Sequence, residues 1–318
     1  MKKIIFIILL SLIVAGVYGD YGGEPLAFLK LKAGARATAM GGAWTSISDN
    51  LSGVLYNPAG IINLDGFELY AETYLLSFGR SVNYISTGKP VSIGDNHYSL
   101  ALSWFNYSSG AIEKRLTNSP DPMELISDVS HTFYFTIAMK LSKNLDFGGN
   151  FKFIYQSIYQ NTAKGFGFDA GFLLKIIDNL YFGLSAINIS TYLNWDKNAY
   201  TEDIPLSINT GVSYNLKSFF DVKNFDILFA LDGVYNTFGY FLIKPGLEIK
   251  VNEFFYLRTG FDKTIAIGTG FRFKPSEIFI VKFDYAISTD AILQDNINNR
   301  ISICVDYIFP HWKNTKLQ

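Results

Sequence analysis

Cysteine is nearly absent from these 318 residues. Cys304 stands alone, which excludes an intramolecular disulfide and any cysteine metal cluster. Histidine is scarce as well, limited to His97, His131 and His311. Beyond residue 19 no run of 18 apolar residues occurs, so no helical membrane span is expected. Net charge is also small: 27 Lys and Arg against 28 Asp and Glu leave a formal −1, too little to steer nucleic acid or anionic lipid. A phosphate loop, an HExxH pair and metal-ligand spacings are all missing, and no cofactor or metal site is expected. No linker interrupts the chain.

What is abundant is apolar and aromatic surface. The composition is 49% hydrophobic and 16% aromatic, with 28 Phe and 20 Tyr, which favours one large barrel over two soluble domains. Residues 1–19 read as a secretory signal peptide: Lys2 and Lys3 form a basic start, Ile4 to Val14 an apolar core, and Val17-Tyr18-Gly19 a small-residue cleavage site. That apolar core is shorter than the ~20 residues a membrane-spanning helix needs.

From Gly66 onward the chain alternates with period two, which puts odd and even residues on opposite faces of a strand. Tyr98, Leu100, Leu102 and Trp104 share one face, for instance, while Ser99, Ala101 and Ser103 share the other. Segments of this texture lie near 66–76, 79–89, 97–107, 130–141, 145–156, 165–177, 180–190, 204–216, 224–236, 238–250, 254–262, 265–273, 278–288 and 299–309. Their length and even number predict an all-β fold, an antiparallel transmembrane β-barrel of about fourteen strands over residues 66–309. Short connections such as Lys143-Asn144 and Asp178-Asn179 are expected on the periplasmic side. Longer ones, Ser108 to Ser130, Ser157 to Lys164, Thr191 to Asp203 and Thr289 to Asn298, are expected outside. Tyr155, Tyr159, Tyr181, Tyr192, Trp195, Tyr240 and Tyr256 fall near strand ends and read as interfacial girdles. Residues 310–318 form a periplasmic tail, either a partner contact or disordered.

The stretch Ala33 to Ile61 breaks the alternation, being rich in Gly and Ala with a single Arg. Five blocks carry a resemblance: Phe28-Leu29-Lys30-Leu31, Gly34-Ala35-Arg36-Ala37, Ala39-Met40-Gly41-Gly42-Ala43, Ser48-Asp49-Asn50 and Tyr56-Asn57-Pro58-Ala59-Gly60. Together they resemble the N-terminal signature of the PorV/PorQ family, which is related to the FadL-type outer-membrane transporters of hydrophobic compounds. The resemblance implies a Gram-negative outer-membrane location. It also leaves two functions open. One is passage of small hydrophobic compounds; the other is a non-transporting accessory role in protein secretion, binding secreted proteins or other outer-membrane subunits.

Residues 20–65 are expected to plug the lumen, because small residues let a backbone pack closely inside a curved wall. Arg36 is expected to anchor the plug to inward acids through bidentate bonds. Ser48 or Asp49 is expected to cap a short helix running toward Tyr56, with Pro58 ending it. Thirteen inward charges are read from the alternation, among them Asp146, Lys152, Asp169, Asp232, Lys244, Glu248, Lys282 and Asp284, with both signs balanced. Phe105, Ile154, Leu173, Leu228 and Ile280 also fall inward, where they can line a hydrophobic ligand or pack against the plug. Catalysis is not expected. His97 and His131 lie at opposite ends of neighbouring strands about ten residues long, so at roughly 3.3 Å per residue they cannot share a Ser-His site.

Overall fold

The computed structural model describes residues 25–309 apart from 119, 198–199, 217–224 and 290–295. The expected signal peptide and the tail from 310 onward lie outside the described residues. Seventeen strands follow one another: β1 (Gly66–Leu75), β2 (Ser81–Ile93), β3 (Asn96–Ser108), β4 (Ile112–Lys114), β5 (Glu124–Ile126), β6 (Asp128–Lys140), β7 (Leu145–Ile158), β8 (Asn161–Ile177), β9 (Leu180–Trp195), β10 (Thr201–Asp203), β11 (Ser207–Asn215), β12 (Asp226–Asn236), β13 (Tyr240–Lys250), β14 (Phe255–Asp262), β15 (Thr264–Ser276), β16 (Phe279–Thr289) and β17 (Ile297–Ile308). β4 and β5 pair only with each other, and β10 is a short addition to β9. The other fourteen form one antiparallel ring that closes where β17 meets β1, with Gly66 opposite Ile308. The end of the barrel at that junction is the near end, and the opposite one is the far end.

Period-two alternation is the reason the ring has two unlike faces. Phe133 and Phe135 on the outside are each 49% exposed, whereas the alternating Thr132 and Tyr134 are buried. The exposed set is dominated by Phe, Leu and Ile, and the buried set is rich in Ser, Thr, Asn and charge. This is an inside-out distribution for a water-soluble protein and the expected one for a wall facing hydrocarbon. Four of the expected girdle residues turn inward instead: Trp195 pairs with buried Ala163 and joins the lumen cluster, and Tyr181 stands opposite Ser213, whose hydroxyl donates to the Ser46 carbonyl. Tyr240 is buried under the Lys30 ammonium at 4.4 Å, and the Tyr256 ring packs against the Arg258 guanidinium at 5.4 Å.

The expected outer loop Ser157 to Lys164 is mostly strand. β7 and β8 run on to Ile158 and Asn161, and Tyr159, at φ 53°, turns the corner. β9 likewise continues to Trp195, beyond the expected limit of 190. Its ladder with β8 carries register shifts on both sides of Phe168, so that β9 gains extra residues. Asn188 and Ser190 take positive φ there, 68° and 44°. β11 pairs with β9 only as far as Ile187, and β10 resumes pairing at Tyr192, so the seam between them is interrupted. Across the interruption Asn188 Nδ2 donates to the Pro205 carbonyl at 3.1 Å, and the Ile204 amide donates to the Thr191 carbonyl at 2.9 Å.

Candidate functional site

Residues 25–64 pack against the inner face of the wall, and several residues that carry the sequence resemblance touch it, among them Gly34, Ala35, Arg36, Met40, Gly41 and Asn57. One short helix, α1 (Ala35–Ala39), lays Ala35 and Ala39 on Ala286 of β16. It stops at Gly41 and Gly42, both left-handed (φ 65° and 74°), with the Gly41 and Gly42 amides donating back to the Thr38 and Ala37 carbonyls, 2.8 Å each. A Cβ on Gly41 would stand 2.3 Å from the Phe261 nitrogen, so glycine there serves a close approach of two backbones as well as the turn. Met40 lies fully buried beside Gly246 and Gly260 of the wall.

Wall carboxylates fasten the segment by accepting its free amides. Glu72 Oε2 accepts from the Gly34 and Ala35 nitrogens (2.7 Å each), Asp232 Oδ2 from Trp44 and Thr45 (2.9 and 2.8 Å), and Glu68 Oε1 from Leu51 (2.7 Å). Arg36 makes the expected bidentate bond: its Nε and Nη2 reach the two Glu248 oxygens at 2.7 and 2.8 Å. Its Nη1 holds both oxygens of Asp49, at 2.9 and 3.0 Å, and its guanidinium stacks on Trp44. Arg258 continues the chain of charge from Glu248 to Asp284. An ionised acceptor roughly doubles the strength of such bonds, so the attachment is firm.

The expected capping scheme is corrected. Asn50, neither Ser48 nor Asp49, caps the turn Leu51–Leu55, accepting from the Ser52 nitrogen. Pro58 does not end a helix; it heads the next turn, Pro58–Asn63, where its missing N–H costs nothing. Asn57 caps that turn by accepting from the Ala59 amide, and its own amide donates to the Phe172 and Thr45 carbonyls at 2.9 and 2.8 Å. Pro58 and Ala59 press on Gly148 of β7, where any Cβ would meet their backbone.

Four of the inward charges that hold the segment or its anchors, Glu68, Glu72, Arg258 and Arg300, lie outside the sequence-based set. The signal was present: Phe67 and Leu69 point out of β1, so parity alone turns Glu68 and Glu72 inward. Glu68, Cys304 and Asp306 also bring three potential metal-ligand atoms together. The Lys282 ammonium stands 2.8 Å from Asp306 and 3.8 Å from Glu68, so those acids are balanced by a cation of the chain itself.

All five candidate ligand-lining residues face inward, and the structure separates them. Phe105 and Ile154 belong to one continuous apolar cluster with the segment, and Leu228 packs against it. Phe28 stacks between Phe105 and Tyr107, at 6.3 and 5.4 Å between ring centres, and Tyr84 and Tyr70 extend the series. Leu173 and Ile280 are buried outside that cluster. Toward the far end the cluster takes in Leu193, Ala163 and Trp195, and Trp195 also lines an open cleft of about 340 Å³ with Ile158, Asn161, Lys197 and Tyr200. Toward the near end it reaches Ile61, Ile62 and Leu64. Beside the far mouth, the hairpin of β4 and β5 leans on the next turn, with Lys114 Nζ donating to the Tyr159 hydroxyl at 2.6 Å; that bond holds the Lys114 pKa above its ordinary value.

No family model matches the chain, and no curated protein matches it in sequence. Solved structures do resemble it in shape. The toluene transporter TodX of Pseudomonas putida superposes with a TM-score of 0.58 at 12% identity, covering 87% of this chain and 98% of that one. The monoaromatic hydrocarbon channel CymD gives 0.59 at 13% identity, covering 88% and 98%. A Pseudomonas aeruginosa FadL homologue gives 0.52 at 10% identity, covering 86% and 97%. At these identities the likeness concerns the fold, which is the closed fourteen-strand barrel of the FadL-type outer-membrane channels.

Proposed function

We propose that this chain spans an outer membrane, near end toward the periplasm, and passes small hydrophobic compounds, with residues 25–65 as the plug that controls the way through. The observation that carries the reading is the apolar cluster inside an otherwise polar lumen. It runs from the cleft at Trp195, past Phe105 and Phe28, to Ile62 and Leu64. A polar, ion-paired interior alone would need no such track. The hydrocarbon channels of the same fold support the substrate class, as does the FadL side of the sequence resemblance. The narrower placement with PorV and PorQ rests on the five N-terminal blocks.

The plug is fastened unevenly, and this sets where movement starts. Wall carboxylates grip it from Gly34 onward, whereas the turn Ala27–Leu31 follows Leu26 at φ 50° and meets the wall through the Phe28 ring stack and Lys30 over Tyr240. Cells expressing the chain are expected to take up labelled toluene several-fold faster than cells without it. Equal rates would overturn the transport reading. Phe28→Ala removes a stack worth about 0.5–1.5 kcal/mol, so uptake is expected to rise by about 2–10-fold.

A further inference from the structure

The outer surface carries a second feature that the lumen does not explain. Six outward side chains stand directly opposite one another in the ladder across β1, β2, β3, β6, β7 and β8: Thr73, Asn83, Asn106, His131, Tyr155 and Lys164. All are polar or amphipathic. One outward step toward the near end, the same ladder reads Ile85, Trp104, Phe133 and Phe153, entirely apolar or aromatic. Asn83, Asn106, His131 and Tyr155 lie nine or ten residues from the near ends of their strands. At ~3.3 Å per residue and a tilt of ~40°, that is about 25 Å, the height of a barrel's hydrocarbon band. On the membrane-spanning reading, on which this inference rests, the row sits where acyl chains give way to head groups.

The side chains are organised rather than merely polar. Thr73 Oγ1 donates to Asn83 Oδ1 (3.1 Å), and Asn83 Nδ2 donates to Asn106 Oδ1 (3.3 Å). The Asn106 amide reaches the Ser130 carbonyl at 3.2 Å and lies 3.4 Å from His131 Nδ1. Trp104 Nε1, which can only donate, bonds His131 Nδ1 at 3.2 Å. The neutral imidazole therefore keeps its proton on Nε2, free for an outside acceptor. The Trp104, His131 and Tyr155 rings stack in series, 5.9 and 6.3 Å between centres. At the boundary of the hydrocarbon such a linked series lies within reach of lipid head groups, and its open donors and acceptors suit a polar occupant.

We infer that this row is a binding site for the phosphorylated sugar head group of an outer-leaflet glycolipid. Stacked rings receive the apolar faces of a sugar, the Asn83 amide and His131 Nε2 meet its hydroxyls while buried Asn106 holds both in place, and Lys164 at the end of the row meets phosphate. The acyl chains lie along Phe133 and Phe153 below.

The test places the full chain in bilayer nanodiscs of phosphatidylethanolamine. A hexa-acylated, monophosphorylated glucosamine disaccharide lipid is doped in, and the lipids retained on the released barrel are counted by native mass spectrometry. The expected result is one glycolipid per barrel, held with about tenfold or greater preference over phosphatidylethanolamine. Asn106→Leu with His131→Leu is expected to abolish that preference, and Tyr155→Leu, which removes a single ring, to lower it about threefold. Phe271→Leu on the opposite wall is expected to leave it unchanged. Equal retention of the two lipids, a preference that survives in folded Asn106→Leu/His131→Leu barrels, or one that Tyr155→Leu leaves undiminished, overturns the site. A barrel that inserts without preference removes this site alone; a chain that never enters the discs removes the membrane-spanning reading with it.

Discussion

Gly260→Val is expected to unseat the N-terminal segment and open the barrel to small solutes. A Cβ at Gly260 would lie 2.1 Å from the Met40 carbonyl carbon and 2.2 Å from the Gly41 nitrogen. Both are backbone atoms, so no rotamer change can relieve the clash. Gly41 also stands against the Phe261 backbone of the same strand, so the whole stretch Met40–Gly41 has to lift from the wall to make room. Ordinary overpacking costs about 1–3 kcal/mol, and here the softest response is release of the segment rather than loss of β13–β14 pairing. Proteoliposomes carrying the variant should leak a small sugar that wild type retains, with residues 25–64 newly open to protease and the barrel still heat-modifiable on a gel. Gly149→Ala is the matched control. Its Cβ would point outward and meet only the Asp169 carbonyl oxygen at 3.5 Å, an ordinary contact. Variant liposomes as tight as wild type would remove the plug from the proposed function.

Lys152→Met is expected to cost the wall about 3–5 kcal/mol, because it leaves a buried carboxylate without its counter-charge. Lys152 Nζ lies 2.6 Å from Asp169 Oδ1, and the two side chains are only 1% and 2% exposed. The pair does more than cancel charge. Lys152 also donates to Asn188 Oδ1 at 2.5 Å, and Asp169 Oδ1 accepts the Asn188 amide at 2.8 Å, so both ions hold the left-handed residue at the interrupted β9–β11 seam. Urea unfolding in detergent should show the loss, and amide exchange near Thr191 and Ile204 should quicken. Adding Asp169→Leu should recover most of the stability, since removing both charges leaves nothing unpaired. A double variant no better than the single one would mean that the damage lies in packing.

The fourteen strands were legible because alternation is a local property: each outward Phe or Leu assigns its neighbours to the lumen without knowledge of any partner. The same parity reaches Glu68 and Glu72. Arg36 was legible as an anchor because a lone guanidinium in a stretch of small residues has few other uses near inward acids. The limits of β7, β8 and β9 were not, since turn-rich composition around Tyr159 and Thr191 resembles loop. What holds those residues in strand is the ladder to a neighbour that exists only once the ring has closed.

The amino-acid sequence by itself determined the wall, its two faces and the presence of a small-residue segment that must lie close to something curved. Period, residue size and strand length suffice for those, and all three are written along the chain. Only the tertiary structure decided that Glu248 is the partner of Arg36, that Asn57 caps a turn while bonding the β8 backbone, and that Phe28 fills the slot beside Phe105. It also decided that Asn83, Asn106 and His131 form one outward row. These are meetings of residues dozens to hundreds of positions apart, set by ladder register and by the path of the segment inside the ring, and no local pattern encodes either.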